Sequence, residues 1–512
     1  MSVAAADRRS QRSRRRLAAL GSALDQPIAV GDHQMLPLPG SSAEARDAIH
    51  HARMAARAGQ LTEAIDLLKP LCKNRKVATL LDRYEGERLI YGEHPIPAAP
   101  RLSVKPARGR VMHLVTNALP FTRAGYTLRT HKIAQAQRSL GLDPHVVTGW
   151  GWPVLQGYLA AAHDVDLDGV PYHRLLPGHD PLPATTAAQL ERGTEATMQL
   201  VRQWQPAALH AASGHQNGTV ALAIRERTGL PVVYEVRGFL EESRAARLNG
   251  PSGGDEQYAL QRRRETQIMQ EADAVVTLAG TMREEIVARG IAPGKIVLAP
   301  NAVDADLLTA TYDGLGFRAR YAIGPGEFVV GSVSSLTSYE GFSTLLEAVA
   351  LLRDEGSPVR VLLVGDGAER PALLAQVEQL GLGDQAVLPG RVGPTVAMAA
   401  YRALDVFVVP RSDVRVAQLV TPLKPVEAMA LGVPVIASRL PALAELLANG
   451  RAGLLVPPED PRALADAIAR VRDDATLRTD LVTAGRDEVA QRRTWQQVAR
   501  SYRDLYEQLG AC

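Results

Sequence analysis

The chain has 512 residues, 46% hydrophobic and 22% charged, with a formal net charge of +3. That is an ordinary globular composition, long enough for about three domain-sized pieces, and its near-neutral charge excludes a whole-protein field that would draw nucleic acid. Two cysteines, Cys72 and Cys512, exclude a disulfide framework and fit a reducing cytoplasm, and neither a membrane-spanning apolar run nor a secretory leader is legible.

Residues 1–40 are poorly patterned. Arg8, Arg9, Arg12, Arg14, Arg15 and Arg16 form a basic cluster. Blocks of like charge rarely pack, so the plain reading is a solvated arm. The functional reading is contact with an anionic membrane surface, where each basic residue can add about 1 kcal/mol. Residues 42–91 carry small and apolar residues at helical spacing, broken at Gly59. They read as a helical hairpin, which cannot bury its own face and must pack on the next domain or on a partner protein. Residues 95–105, rich in Pro and Ala, read as a linker.

From Val111 the pattern changes to short apolar runs separated by helical stretches. The runs are 111–115, 145–148, 208–210, 231–236, 274–278 and 295–300, followed by a second series at 328–333, 359–365, 386–390, 405–410 and 433–438. Strands alternating with helices predict parallel sheets, here two doubly wound Rossmann-like domains facing a cleft. The expected division is an extension over 1–107, a first domain over 108–305, a second over 306–490 and a crossover helix over 491–512.

Within the second series, the strand at 405–410 feeds a polar loop holding Arg411 and Arg415. Thr421-Pro422-Leu423-Lys424-Pro425 then starts a helix with Glu427 in its first turns and a glycine stop at Gly432. A loop at the C-terminal end of a strand, leading into a helix N-terminus, is where open α/β sheets bind anions. The residues read as a phosphate site with one carboxylate for hydroxyl groups. For Glu427 the alternative is a carboxylate placed by the helix dipole alone.

Glu427-Ala428-Met429-Ala430-Leu431-Gly432-Val433-Pro434-Val435 resembles the donor-binding segment of retaining GT-B glycosyltransferases of family 4, in an exopolysaccharide-type variant. The resemblance runs from about Val111 to the C-terminus. The first Glu of that family's Glu-x7-Glu pattern would fall at Leu419. It implies transfer of a sugar from a nucleotide-diphosphate donor to a hydroxyl acceptor, with retention, no metal and no cofactor. It also implies site residues. Gly125, in Asn117–Thr130, closes over the donor phosphates. Arg391 and Val392 face the nucleotide base, Thr421 offers its backbone amide, and Glu427 accepts ribose hydroxyls. Glu235 and Arg237, two apart on one strand face, orient the acceptor; the alternative is a structural Glu–Arg pair. His210 stands in the family's His-x-His segment, whose second histidine is Ala212 here, and reads either as a site residue or as a core histidine. The family's Gly-Arg-Leu-x-x-x-Lys-Gly cations are replaced by Ser335 and Glu340, so Arg411, Arg415 and Lys424 are expected to supply the charge. Val364-Gly365-Asp366-Gly367 lacks the third glycine of a dinucleotide fingerprint, which argues against nicotinamide. Pro300-Asn301-Ala302-Val303-Asp304 reads as a hinge turn. Two rival readings are a non-catalytic partner of an active transferase and a nucleotide-sugar epimerase.

Overall fold

A computed structural model describes residues 43–92, 95–159, 161–178, 182–248 and 254–512. The basic cluster at residues 8–16 lies outside the described residues.

The first sheet has eight strands: β1 (Ala107–Val115), β2 (Asp143–Thr148), β3 (Asp164–Leu167), β4 (Val170–His173), β5 (Pro206–Ala212), β6 (Val232–Val236), β7 (Ala274–Thr277) and β8 (Ile296–Leu298). Their order is β3-β4-β2-β1-β5-β6-β7-β8. The second has six: β9 (Val329–Val333), β10 (Arg360–Val364), β11 (Ala386–Gly390), β12 (Val406–Val409), β13 (Val435–Ser438) and β14 (Leu454–Val456), in the order β11-β10-β9-β12-β13-β14. All residues of β5, β9, β12 and β13 are buried. This is why their sequences are continuous apolar runs: a parallel sheet is covered on both faces. The two Rossmann-like domains expected from the alternation are therefore present.

The β3–β4 hairpin was not expected. It is antiparallel, pairing Asp164 with His173 and Leu167 with Val170, at one edge of the first sheet. Its turn is Asp168-Gly169, both with positive φ (51° and 82°). An Asp-Gly pair between apolar runs is a strong hairpin signal, and the flanking strands are merely short.

The chain packs as two compact units. One takes in the described residues within Met1–Val236, Gly253–Val275 and Leu505–Cys512; the other takes in Arg237–Ser252 and Val276–Asp504. In the first unit the described residues of the extension form the helices Ala43–Arg57, Leu61–Leu68 and Arg75–Leu89, where a hairpin was expected. The first break is at Gly59, with φ 79°. Asn74 caps the third helix by accepting from the Lys76 N–H at 3.0 Å. Ile49, Ala52, Ile65, Leu68 and Val77 form its core, and Leu260 packs against it. The Glu256 carboxylate accepts from the Thr62 N–H at 2.7 Å and from its hydroxyl. The extension thus packs against the helix that holds Glu256 and Leu260.

Candidate functional site

In the second sheet β9 lies between β10 and β12, so the crossovers leave it in opposite directions. The C-terminal ends of β9 and β12 are then the switch point where such sheets hold ligands. The loops there are packed backbone to backbone. A Cβ on Gly341 would overlap the Pro410 carbonyl oxygen, one on Gly365 that of Ser334, and one on Gly367 that of Leu336. The glycines of the Val364–Gly367 stretch serve this loop packing.

The three expected cations all face carboxylates. Arg411, 7% exposed, donates through Nη2 to Glu340 Oε1 at 2.7 Å and through Nη1 to the Val420 carbonyl at 3.1 Å. Burial works against its charge, but the adjacent Glu340 carboxylate outweighs this and raises its pKa. Arg415 donates to Glu285 Oε2 at 2.5 Å, and the other oxygen of Glu285 accepts from Arg289 Nε at 2.9 Å. Lys424 Nζ lies 3.6 Å from Glu427 Oε2. Each of the three therefore already has a carboxylate partner within the chain. Arg411 is enclosed and neutralised, Arg415 ties its loop to the helix Gly280–Ala288, and Lys424 stands beside Glu427.

Glu427 lies in the first turn of the helix Lys424–Ala430, with its side chain 14% exposed. Its Oε2 accepts from the Tyr401 hydroxyl at 2.5 Å. Thr421 is buried; its carbonyl accepts from Asn301 Nδ2 at 3.0 Å, and its hydroxyl meets no protein partner. The supposed hinge turn at Asn301 therefore anchors the segment that leads to Glu427. Nearby, Glu445 accepts from the N–H groups of Gly280 (2.7 Å) and Thr281 (3.1 Å), the start of the helix bridged by Arg415. Arg391 is exposed and Val392 partly buried, both just past edge strand β11.

In the first unit β1 lies between β2 and β5, which makes another switch point. Gly125 begins the helix Gly125–Ser139 after β1, and a Cβ on it would meet nothing within 4 Å. Beneath this lies a buried polar chain whose donors can be assigned. The Glu235 carboxylate can only accept, from Arg129 Nε at 2.9 Å and from His210 Nε2 at 3.2 Å. With a neutral ring, His210 Nδ1 then accepts from the Tyr506 hydroxyl, at 2.6 Å. That hydroxyl oxygen accepts from Gln137 Nε2 at 3.2 Å, and Gln137 Oε1 from His113 Nε2 at 2.8 Å. His113 and His210 stack with centroids 4.7 Å apart.

Glu235, expected with Arg237 to orient the acceptor, and His210, read as either a site residue or a core histidine, both belong to this buried chain. Both are 0% exposed, and they hold Arg129 and Tyr506, a residue of the helix Trp495–Gln508, in place. The alternative read from the sequence is a Glu235–Arg237 pair; the structure shows Glu235 in an ion pair with Arg129, at 2.8 Å. Arg237 is half-buried just past β6. Sequence reasoning missed Tyr401, Glu285 and Glu445, and gave Glu340 and Asn301 no pairing role. Apart from the i,i+4 pair of Glu285 with Arg289, their partners lie on other elements, where spacing carries no signal. Among the described residues no group of His, Cys, Asp and Glu could hold a metal ion, and no helix is long and apolar enough to cross a membrane.

Two Rossmann-like domains of this topology define a GT-B fold. Comparison with known proteins carries this further. Residues 124–302 match the model of the glycosyl transferase 4-like domain, and residues 327–474 that of glycosyl transferases group 1. Both models describe glycosyl transferases, and neither alone matches half of the chain. It is 32% identical over 188 residues to the D-inositol 3-phosphate glycosyltransferase of Corynebacterium urealyticum, covering 35% of this chain and 43% of that one. It is 33% identical over 208 residues to the phosphatidyl-myo-inositol mannosyltransferase of Mycobacterium leprae, covering 41% and 52%. The chain spans about half the length of the curated relatives it matches. Sucrose-phosphate synthase from Thermosynechococcus elongatus is similar in structure, with TM-score 0.63 at 23% identity, covering 78% of this chain and 99% of that one. Anabaena HepE, described in complex with UDP, has TM-score 0.60 at 19% identity, covering 78% and 100%.

Proposed function

We propose that the chain transfers a glycosyl group, a hexose by family analogy, from a nucleotide-diphosphate sugar to a hydroxyl acceptor with retention and without a metal. The observation that carries this is the Lys424–Glu427 pair. A partly exposed cation and carboxylate, 3.6 Å apart, open one helix inside the stretch matched to the group 1 model. A carboxylate accepts ribose hydroxyls, and an ammonium is a point charge for phosphate. The curated relatives are named for inositol-phosphate and phosphatidylinositol acceptors, which supports a hydroxyl acceptor here. In this reading the acceptor hydroxyl attacks on the face the diphosphate leaves, and a leaving phosphate oxygen takes its proton. The protein contributes positioning and charge. Gly125 lets the donor approach backbone, Arg391 and Val392 lie by the base, and Arg237 stays on the acceptor side. The basic cluster at residues 8–16 would bring the protein to an anionic membrane surface, in keeping with a cytoplasmic place at its inner face.

One observation favours a second reading. With Arg411 and Arg415 already on carboxylates, the protein has fewer cations for a leaving diphosphate than its sequence promised. A GT-B-shaped partner of an active transferase would need none. Incubation with UDP-, GDP-, ADP- and dTDP-sugars decides. Turnover, even to water, that disappears on Lys424→Ala supports the enzyme. Binding without turnover, or neither, supports the partner; conversion of the donor with no acceptor present reveals an epimerase.

A further inference from the structure

Tyr401 belongs to the helix Pro394–Arg402, which leads into β12, and its ring is fully enclosed and stacked on Phe407 at 5.4 Å. A phenylalanine would fill that space equally well. The hydroxyl is therefore the informative atom, because a buried tyrosine keeps its oxygen only where a partner waits. The partner is Glu427 Oε2, at 2.5 Å. Lys424 Nζ approaches the same oxygen at 3.6 Å. Both contacts fall on Oε2, leaving Oε1 of a partly exposed carboxylate to accept from a hydroxyl outside the chain. The phenol cannot exchange roles with the carboxylate: burial, and then the Glu427 charge, push its pKa well above the ordinary value, so it stays protonated and donates.

We propose that Tyr401 is a positioning residue. Its hydroxyl clamps Glu427 in one rotamer and presents Oε1 to a ribose hydroxyl of the donor nucleotide. The proposal rests on the reading of Glu427 given above. A carboxylate held from behind loses no rotamer freedom when the nucleotide arrives, so the bond to the ribose comes at a lower entropic cost. Without the clamp, Glu427 can turn toward Lys424 or solvent.

The test is isothermal titration of the full chain with UDP, GDP and ADP, and with the 2′,3′-dideoxy form of whichever binds. Wild type should bind the ribonucleotide more tightly than its dideoxy form. Tyr401→Phe should lose about tenfold in ribonucleotide affinity while dideoxy affinity is unchanged. Glu427→Ala should show the same pattern, and the double variant should lose no more than Glu427→Ala. If Glu427→Ala abolishes ribose preference and Tyr401→Phe keeps it, or weakens both ligands equally, Tyr401 is a packing residue and the proposal falls alone. If wild type binds no ribonucleotide, or Glu427→Ala leaves the preference intact, the reading of Glu427 falls and takes the proposal with it.

Discussion

Arg411 and Glu340 meet at 2.7 Å, one just past β12 and the other at the end of the loop that follows β9. Their side chains are 9% and 10% exposed, so each charge depends on the other. Removing one partner strands a buried charge, which costs about 3–5 kcal/mol. Glu340→Gln and Arg411→Met should each lower the unfolding free energy by about that amount. The double variant Glu340→Met with Arg411→Met should be far less damaged than the sum, because two thioethers need no counter-charge. Chemical denaturation of the four proteins measures this, and additive losses would show that the pair does not act as a unit.

That pair also marks where the sequence stopped being informative. The strand runs could be read because a buried parallel strand requires continuous apolar residues, as in Val406–Val409 and Val435–Ser438. The stop at Gly432 was legible because a helix end favours positive φ, and Gly432 has φ 73°. The Glu427 segment was legible by family resemblance. Partners were not. Arg411 finds Glu340 71 residues earlier, Arg415 finds Glu285 130 residues earlier, and Glu235 finds Arg129 106 residues earlier. Periodicity reports which face of an element is buried, not which charge from another element will meet it there. Arg411 looked like a free cation because, in sequence alone, every arginine does.

His215 supplies a pH dependence. It opens the helix His215–Thr228, its ring lies 5.0 Å from that of Tyr91, and neither ring nitrogen has a hydrogen-bond partner. Burial first, and then the Arg264 charge, push its pKa down to about 4. The unfolded chain binds this proton near the ordinary value of about 6.5, so between the two values the unfolded state holds more protons. Stability should therefore fall as pH drops from about 6.5 toward about 4, with roughly 2 kcal/mol lost by pH 5 through this residue. His215→Phe keeps the ring contact and removes the titration. Its unfolding free energy should fall less than that of wild type between pH 7 and 5. Equal losses in the two proteins would mean that other groups carry the acid sensitivity.

Two glycines separate fold from ligand. Gly341 has φ 71°, and a Cβ there would overlap the Pro410 carbonyl oxygen, so Gly341→Ala must distort the junction of the loops after β9 and β12. The left-handed conformation alone costs an alanine about 1–2 kcal/mol, and the overlap adds to it. Gly125 is the opposite case. It begins a helix, and a Cβ there would meet no protein atom within 4 Å. Alanine is the better helix former by up to about 1 kcal/mol, so Gly125→Ala should leave the melting temperature unchanged or raise it. If the space beside Gly125 belongs to the donor, the same methyl group should cost about tenfold in turnover of the nucleotide sugar, as small misplacements of a bound reactant do. A Gly125→Ala protein that is as stable and as active as wild type would make that glycine an ordinary turn and move the donor phosphates elsewhere.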